Sequence, residues 1–282
     1  MNVLSLFDGI SIGRLSLENA GIKIDNYLSS EIESKAIEIS RKNYGINYDN
    51  LGSVCDIDFY NGVVSSPAKS RNVGKIDLLI GGSPCQDLSA LKNGLGLEGE
   101  KSKLLMEFIR LKEKIKPRYF LLENVVPRKK EWKSEIDNLM GVNGVLINSD
   151  LFVPQNRPRI YWTNIPMNIL PERPNWIKTY YQWRRTYFRK NMSGVCPCLT
   201  ANIGTGGHNV PLKSMDLKDK LTPEECEYLQ GLPSGWTSGV ANSHRYKAIG
   251  NGWTSQVISH IFNGFPEEYK IEPTHKPQLS IF

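Results

Sequence analysis

The feature that most constrains this chain is the alternation of short apolar segments with helical patterns in its first half. Apolar runs predict strands, and apolar positions spaced at 3.6 residues predict helices. Strands are expected at residues 3–7, 26–29, 75–80 and 119–122, and helices at 11–20, 32–44 and 102–116. Strands that alternate with helices of this length indicate βαβ units, so we predict an α/β fold with a mainly parallel, twisted sheet.

The alternation fades after a further predicted strand at residues 160–163. Pro166, Pro171 and Pro174 interrupt it, and residues 196–211 are rich in Gly, Thr and Pro. Helices are predicted again near 254–262 and at 222–229, where Thr222 and Glu225 form a capping-box pattern. The chain therefore combines a regular α/β part with a smaller irregular part.

Composition places the chain among ordinary globular proteins, with 40% hydrophobic and 23% charged residues. It has no apolar run of about 18 residues and no basic leader, so we expect no membrane span and no secretory signal. Five cysteines in 282 residues do not make a disulfide scaffold. We therefore expect a cytoplasmic protein with reduced thiols.

The net charge of +6 lies entirely in the second half of the chain. Residues 1–150 carry 20 basic and 20 acidic side chains, whereas residues 151–282 carry 15 and 9. Residues 173–190 alone hold six bases, six aromatic side chains and no acid. This mixture suits phosphate contact and base stacking, so nucleic acid is a predicted partner; the alternative is a solvated basic face over a small aromatic core.

Polar side chains follow the predicted strands at the edge where α/β proteins bind ligands. The first loop contains Gly9 and Gly13, and Glu31 comes 22 residues after Gly9. An acid at about that distance commonly binds ribose hydroxyls, and Asp56 with Ile57 is placed to face an adenine ring. We predict an adenosine-containing cofactor, although the loop matches neither a dinucleotide-binding nor a Walker sequence.

Cys85 lies in the segment GGSPCQ, a turn that would present its thiol rigidly at a strand end. Such a thiol suits a nucleophile, whereas Cys55 and Cys226 fit small buried apolar residues. No histidine has a setting that indicates a Cys–His hydrolase, and Cys196 with Cys198 lacks a second ligand pair at zinc spacing. The sequence favours Cys85 as a nucleophile and predicts no metal.

Two further segments carry candidate catalytic groups. Glu123 follows a predicted apolar strand and is suited to donating or sharing a proton. The alternative is a helix N-cap or a surface ion pair, and Asn124 would serve as that cap equally well. Arg157 and Arg159 alternate with Pro158 and are predicted to point the same way, as clamps for phosphate or carbonyl groups.

Together these segments resemble the DNA cytosine-5 methyltransferase family over nearly the whole chain. The shared motifs come in the family's order: FDGI (7–10), GSPCQ (82–86), ENV (123–125), QNRPR (155–159) and GNG (250–252). Several are similar to the animal de novo methyltransferases, whereas the compact size resembles bacterial and phage members. The resemblance implies the Rossmann-like fold of S-adenosylmethionine-dependent methyltransferases, with S-adenosylmethionine as cofactor and S-adenosylhomocysteine as product.

The resemblance also implies roles for individual residues. Cys85 would add to C6 of cytosine, Glu123 would bind its N3 edge, and Arg159 would hold its O2 carbonyl. Asn124 and Arg157 fall in the same catalytic site, where Arg157 would support the loop and phosphates. Cofactor contacts carry over to Phe7, Asp8, Gly9, Ile10, Glu31, Asp56, Ile57, Pro84 and Leu104, and the pocket would be closed by Asn251, Gly252 and Trp253.

Double-stranded DNA is the partner that the resemblance implies, with the target cytosine flipped out of the stack. A catalytic and cofactor-binding domain is expected at 1–162 together with 245–282, and a small target-recognition domain at 163–244. The glycine-rich segment 86–101 resembles a loop that closes over the flipped base. Predicted DNA contacts are Gln86, Ser89, Arg184, Arg185, Arg189, Thr200, Gly204, Gly206 and Gly207.

Other functions stay open at this stage. The protein is expected to be a monomer that binds neither a membrane nor a metal. One branch of the family methylates tRNA, and the basic segment does not separate that substrate from DNA. A catalytically inactive DNA-binding regulator would require loss of a catalytic residue, yet Cys85, Glu123 and Arg159 are all present. A transferase for free nucleotides is disfavoured by the positive charge of residues 151–190.

Overall fold

The computed structural model describes residues 1–84, 102–184, 186–203 and 210–271. In chain order, its strands and α-helices are β1 (Asn2–Leu6), α1 (Ile12–Asn19), β2 (Asn26–Ser30), α2 (Ser34–Tyr44), β3 (Asp49–Asn50), β4 (Asp58–Tyr60), β5 (Val63–Ser66), β6 (Lys69–Asn72), β7 (Leu78–Gly82), α3 (Ser102–Ile115), β8 (Tyr119–Val125), α4 (Lys130–Met140), β9 (Val145–Asn148), β10 (Pro158–Thr163), β11 (Tyr180–Trp183), β12 (Phe188–Asn191), β13 (Pro211–Leu212), α5 (Pro223–Leu229), α6 (Asn242–Asn251) and α7 (Ser255–Phe262).

Seven strands form the main sheet, in the order β3-β2-β1-β7-β8-β10-β9. The five strands from β3 to β8 are parallel, and β10 runs antiparallel to both of its neighbours. The predicted α/β fold with a mainly parallel sheet is confirmed. Because the chain passes from β1 outward to β2 and later returns to β7 on the other side, the sheet has its switch point between β1 and β7. Ligands of such sheets bind in the crevice at that point.

Both faces of the sheet are covered, which explains why its central strands are apolar along their length. On one face, Leu4 and Leu6 pack with Phe108 of α3. On the other, Val3 packs with Phe262 of α7. All of these side chains are buried. With the sheet fixed from both sides, the polar residues at its carboxyl edge are held in place.

The strands and helices predicted from sequence lie within three residues of those observed. The largest differences are at β7, which begins three residues later than predicted, and at β8, which ends three residues later. Both strands end beyond their apolar cores. Gly82 and Glu123 therefore lie inside the ends of these strands, paired with each other in the parallel ladder. The polar residue Glu123 therefore does not mark the end of the strand.

Several elements have no counterpart in the prediction. Helix α4 buries only Ile136 and Met140, and its sequence is dominated by polar side chains. The sheet β4-β5-β6 is a small antiparallel meander with mostly polar outward residues. Short elements like these give little periodic signal, since they contribute few side chains to the core.

A second small sheet, β12-β11-β13, lies in the irregular part of the chain. Its core joins Tyr180, Leu199 and Leu229 to Ile249 of α6. Trp236, which also falls within residues 163–244, packs instead beside α1 and α2. The predicted division at residues 163 and 245 stays a prediction. Among the described residues, no helix combines the length and apolarity needed to cross a membrane.

Candidate active site

A cavity of about 410 Å³ lies at the carboxyl edge of the main sheet, at the switch point between β1 and β7. Its volume falls within the roughly 300–1,000 Å³ typical of small-molecule sites. The structure brings most of the predicted catalytic and cofactor-binding residues together in its wall. They are Phe7, Asp8, Gly9, Ile10, Glu31, Pro84, Leu104, Glu123, Asn124, Arg157, Arg159, Asn251, Gly252 and Trp253.

The loop after β1 takes its shape from a left-handed backbone. Phe7, Gly9 and Ser11 have φ angles of 56°, 60° and 58°. Positive φ is unfavourable for the two residues that carry a Cβ, so the surrounding structure must impose it. The amide of Asp8 donates to the Ser30 carbonyl at 3.0 Å and thereby anchors this loop to β2. The strained turn lines the cavity with backbone as well as side chains.

Asp8 is a buried carboxylate held by neutral donors. The hydroxyls of Ser5 and Tyr27 donate to Oδ1, each at 2.7 Å, and the hydroxyl of Ser11 donates to Oδ2 at 2.6 Å. Burial raises the pKa of Asp8 above its usual value, and the three hydroxyl donors oppose that rise only in part. No salt bridge within the described residues involves Asp8, so its negative charge lacks a protein cation there.

Glu31 ties the loop after β1 to the chain that follows β2. Its Oε2 accepts the amide of Gly9 at 2.7 Å, and its Oε1 accepts the amides of Ile32 and Glu33, each at 2.8 Å. Oε1 has both lone pairs occupied, whereas Oε2 keeps one for a ligand. The residue predicted to bind a ribose therefore also holds the loop after β1 against the chain that follows β2.

Glu123 lies at the base of the cavity with a donor on each carboxylate oxygen. Arg159 Nε lies 2.9 Å from Oε1, and Trp253 Nε1 lies 3.0 Å from Oε2. The residue is 8% exposed, which is enough to offer the carboxylate to a ligand from one side. The carboxylate is therefore contacted from two sides, by a guanidinium and by an indole N–H.

Asn124, the residue after Glu123, makes hydrogen bonds within the protein. Its Nδ2 donates to Ser83 Oγ at 3.0 Å, and its side chain is buried. Its Oδ1 accepts the amide of Val125 at 2.8 Å. The nearest helix begins at Lys130, so Asn124 caps no helix. It instead joins the end of β8 to the turn that leads to Cys85.

Arg157 is buried, at 3% exposure, and is surrounded by backbone carbonyls. Its Nη1 donates to Leu199 O at 2.7 Å, and its Nη2 donates to Gly250 O at 3.1 Å and to Gly252 O at 2.8 Å. Burial lowers the pKa of this guanidinium, the main opposing influences being Cys198 and Glu123. This geometry makes Arg157 a positioning residue whose donors are used within the protein, whereas Arg159 reaches Glu123.

Some predicted residues fall elsewhere. Ile57 is buried in the core, Asp56 is exposed, and neither lines the cavity, although Ser53 and Val54 of the same segment do. Their contact with an adenine ring stays a prediction. The other predicted residues lie outside the described part of the chain: Cys85, Gln86, Ser89, Arg185, Gly204, Gly206 and Gly207.

Sequence reasoning missed other contributors to the site. Ser5 and Tyr27 hold Asp8, but nothing in the sequence separates them from ordinary strand residues. Cys198 lies 3.5 Å from Arg157 Nη1. Burial opposes ionisation of this thiol, but the guanidinium groups of Arg157 and Arg159 outweigh it and lower the Cys198 pKa. Only the C-x-C spacing drew attention to Cys198.

Two of the predicted DNA-contacting arginines, Arg184 and Arg189, belong to the hairpin formed by β11 and β12. Trp183 and Phe188 contact each other at the turn end of this hairpin, with tilted rings whose centroids are 4.9 Å apart, and the Arg184 amide donates to Tyr187 O at 3.0 Å. The side chain of Arg189 is exposed. Thr200, the remaining predicted contact, is half-buried beside α6.

Within the described residues, no cluster of His, Cys, Asp and Glu could hold a metal ion.

The architecture, with its cavity at the switch point, is an α/β fold that solved methyltransferases share. The structure matches the Dnmt2 methyltransferase of S. pombe with a TM-score of 0.63, at 18% identity over 93% of this chain and 96% of that one. It matches the Entamoeba histolytica methyltransferase EhMeth with a TM-score of 0.61, at 18% identity over 94% and 97% of the two chains. At such identities these likenesses establish the fold.

The chain belongs to the C-5 cytosine-specific DNA methylase family, whose sequence pattern matches residues 1–169 and 162–267. It is 31% identical to the Type II methyltransferase M.Bsp6I of Bacillus sp. (strain RFL6), over 93% of this chain and 97% of that protein. It is 25% identical to the Type II methyltransferase M1.ScrFI of Lactococcus lactis, over 92% and 76%. The protein is therefore a DNA cytosine-5 methyltransferase, as the sequence motifs predicted.

The clamp formed by Arg157 generates a stability prediction. In an Arg157→Lys variant, one ammonium group replaces a guanidinium that donates to three carbonyls. Since each buried acceptor left unpaired costs about 1–3 kcal/mol, we expect the free energy of unfolding to fall by at least that amount. Urea unfolding measures the loss, and exposed Arg41 provides the matched control, Arg41→Lys, with little expected change. Equal urea midpoints for Arg157→Lys and Arg41→Lys would show that the hydrogen bonds of Arg157 do not stabilise the fold.

Proposed function

We propose that the protein transfers a methyl group from S-adenosylmethionine to C5 of a cytosine flipped out of double-stranded DNA, through a covalent bond between Cys85 and C6. The observation that carries this proposal is the Glu123 carboxylate, held by Arg159 and Trp253 at the base of a cofactor-sized cavity. The turn that leads to Cys85 is bonded to the neighbouring residue Asn124. This bond joins the residue after Glu123 to the segment that precedes Cys85 in sequence, which supports the proposal that the carboxylate and the thiol act on one ring.

The opposite wall of the cavity fits S-adenosylmethionine. The Asp8 carboxylate is buried among hydroxyl donors without a salt bridge in the described residues, an arrangement that suits a cationic ligand. Glu31 retains acceptor capacity for ribose hydroxyls at the entrance. Asn251, Gly252 and Trp253 close the wall from the end of α6. When bound, S-adenosylmethionine supplies an electrophilic methyl group.

The residues of this chain would make C5 of cytosine reactive. The Cys85 thiolate adds to C6, and the electron pair of the C5–C6 double bond is released toward C5. Glu123 binds N3 and the exocyclic amine, while Arg159 binds the O2 carbonyl, so the developing charge on the ring is stabilised. C5 would then take the methyl group as the methyl–sulfur bond of the cofactor breaks, which leaves S-adenosylhomocysteine, and C5 would lose its proton to a base. Expulsion of the Cys85 thiolate restores the double bond.

The substrate base must leave the DNA stack, because neither face of its ring is accessible within a duplex. The β11–β12 hairpin, with exposed Arg189 beside Arg184, is the proposed contact to the DNA backbone. Arg173 contributes less, since it pairs with Asp150 at 3.0 Å and donates to the Ser193 carbonyl. The bacterial and phage origin of relatives supports the cytoplasm of a bacterial cell or infected host as the location.

The covalent step predicts a trapped complex. Duplex DNA with 5-fluorocytosine at the target should form an adduct that survives denaturing gels, because fluorine cannot leave C5 as a proton does. We expect Cys85→Ala to abolish the adduct and Cys55→Ala, at an exposed cysteine outside the cavity, to retain it. Peptide mapping of the adduct to Cys196, Cys198 or Cys226 would overturn the assignment.

The charge of Asp8 predicts how cofactor binding depends on pH. Only the ionised carboxylate attracts a cation, and burial raises the pKa of Asp8, so wild-type affinity should fall as the pH is lowered, beginning at a higher pH than for an ordinary aspartate. Asp8→Asn should bind S-adenosylmethionine about ten- to a hundredfold more weakly, since a charge-assisted contact contributes roughly 1.5–3 kcal/mol. Its affinity should also lose that pH dependence.

Calorimetry at several pH values makes this measurement. The control is Asp219→Asn, which removes a carboxylate that pairs with Lys213 in the irregular part of the chain. It should behave like the wild type. Equal affinity of Asp8→Asn and wild type at neutral pH would show that Asp8 only shapes the loop.

The hairpin arginines predict a change in salt dependence. Changing Arg184, Arg185 and Arg189 to Gln removes three charges. If all three contact phosphates, the slope of log affinity against log salt should fall by about 2.7, at about 0.9 for each phosphate. Changing Lys112, Lys114 and Lys116 to Gln gives the same change of net charge at the opposite edge of the sheet. A wild-type slope and site preference in the arginine variant would make this stretch a solvated face.

A further inference from the structure

The indole of Trp253 makes a polar contact that the methyl-transfer steps above leave without a role. The residue follows the end of α6 and lines the cavity between the loop after β1 and the end of β7. Its Nε1 lies 3.0 Å from Glu123 Oε2, across 130 positions of sequence. An indole nitrogen is only a donor, so Trp253 donates and the carboxylate accepts.

This bond depends on the absence of a side chain at Gly82. Gly82 pairs with Glu123 in the ladder between β7 and β8. A Cβ at Gly82 would lie 2.6 Å from Trp253 Nε1 and 2.9 Å from Glu123 Oε2. Contacts this short do not occur for real Cβ atoms, so any larger residue would separate the donor from the acceptor.

The indole ring is held in place from other sides as well. A Cβ at Gly13 would lie 3.4 Å from Cζ3 of the ring, so helix α1 approaches it closely. The residue before it, Gly252, gives its carbonyl to Arg157 Nη2 at 2.8 Å. Trp253 is thus fixed by its backbone and by its packing, and its N–H has a set direction.

We propose that Trp253 is a positioning residue that orients the Glu123 carboxylate for the cytosine edge. Arg159 Nε lies 2.9 Å from Oε1, and the indole Nε1 of Trp253 lies 3.0 Å from Oε2. Donors on both oxygens restrict rotation of the carboxylate plane about its last torsion. This inference rests on the proposed function, in which Glu123 meets N3 and the exocyclic amine, and it adds a task to the cofactor-pocket role predicted for Trp253.

The test uses Trp253→Phe, which keeps an aromatic ring against Gly13 and Gly82 but removes the N–H. We expect the single-turnover rate of methyl transfer at saturating cofactor to fall about tenfold, as for one lost charge-assisted hydrogen bond. The affinity for S-adenosylmethionine should stay within about threefold, because the ring remains. Trp162→Phe is the matched control: it breaks another indole–carboxylate bond, 2.6 Å from Trp162 Nε1 to Asp137 Oδ1, away from the cavity.

An NMR measurement tests the bond between Trp253 and Glu123 independently of activity. In a ¹⁵N-labelled protein, the indole resonance of Trp253 is assigned by its loss in Trp253→Phe. In Glu123→Gln it should move upfield, since an amide oxygen is a weaker acceptor than a carboxylate. The loss of rate caused by Trp253→Phe should also shrink in the Glu123→Gln background, because the two residues act through one bond.

Three outcomes would overturn the inference: an indole resonance that does not move in Glu123→Gln, a wild-type rate in Trp253→Phe, or a loss of rate matched by an equal loss of cofactor affinity. The trapped 5-fluorocytosine complex of the wild type separates this failure from failure of the proposed function. If the wild type forms no adduct, the proposed chemistry is wrong, whereas the resonance still reports whether Trp253 bonds to Glu123.

Discussion

The buried guanidinium of Arg157 is the interaction on which the rest of the site depends. It joins β10 of the main sheet to the carbonyl of Leu199 and to those of Gly250 and Gly252 at the end of α6. These three segments are at least 42 positions apart in sequence. A charged side chain in such a place is tolerated because three of its hydrogen bonds go to carbonyls. Through this clamp, the last wall of the cavity is fixed relative to the sheet.

The parts of the site that sequence predicted are those that follow from parallel strands. Residues after such strands collect at one edge, so Asp8, Glu31 and Glu123 were expected to lie together, and they do. Glu31 was expected to face a ribose, but its bonds to the amide of Gly9 and two others show an additional structural task. That task involves backbone groups, which leave no mark in the side-chain pattern.

The parts that sequence did not predict depend on contacts between distant segments. The hydroxyl of Tyr27 reaches Asp8. The carbonyls that surround Arg157 belong to residues for which the pattern of side chains predicts neither a helix nor a strand. Charge counting also has a limit: Arg173 stands in a window without acids, yet its partner Asp150 lies outside that window. Patterns along the chain report local environment, whereas these bonds are set by tertiary packing.

The packing of α1 against α7 has a consequence for synthesis on the ribosome. Ser16 of α1 bonds to Ser255 of α7 across 239 positions of sequence. At roughly 5–20 residues per second, the second helix emerges on the order of 10–50 seconds after the first. Throughout that interval, the apolar side of α1 and one face of the nascent sheet have no native cover. Native cover for these surfaces is therefore complete only once α7 has been translated.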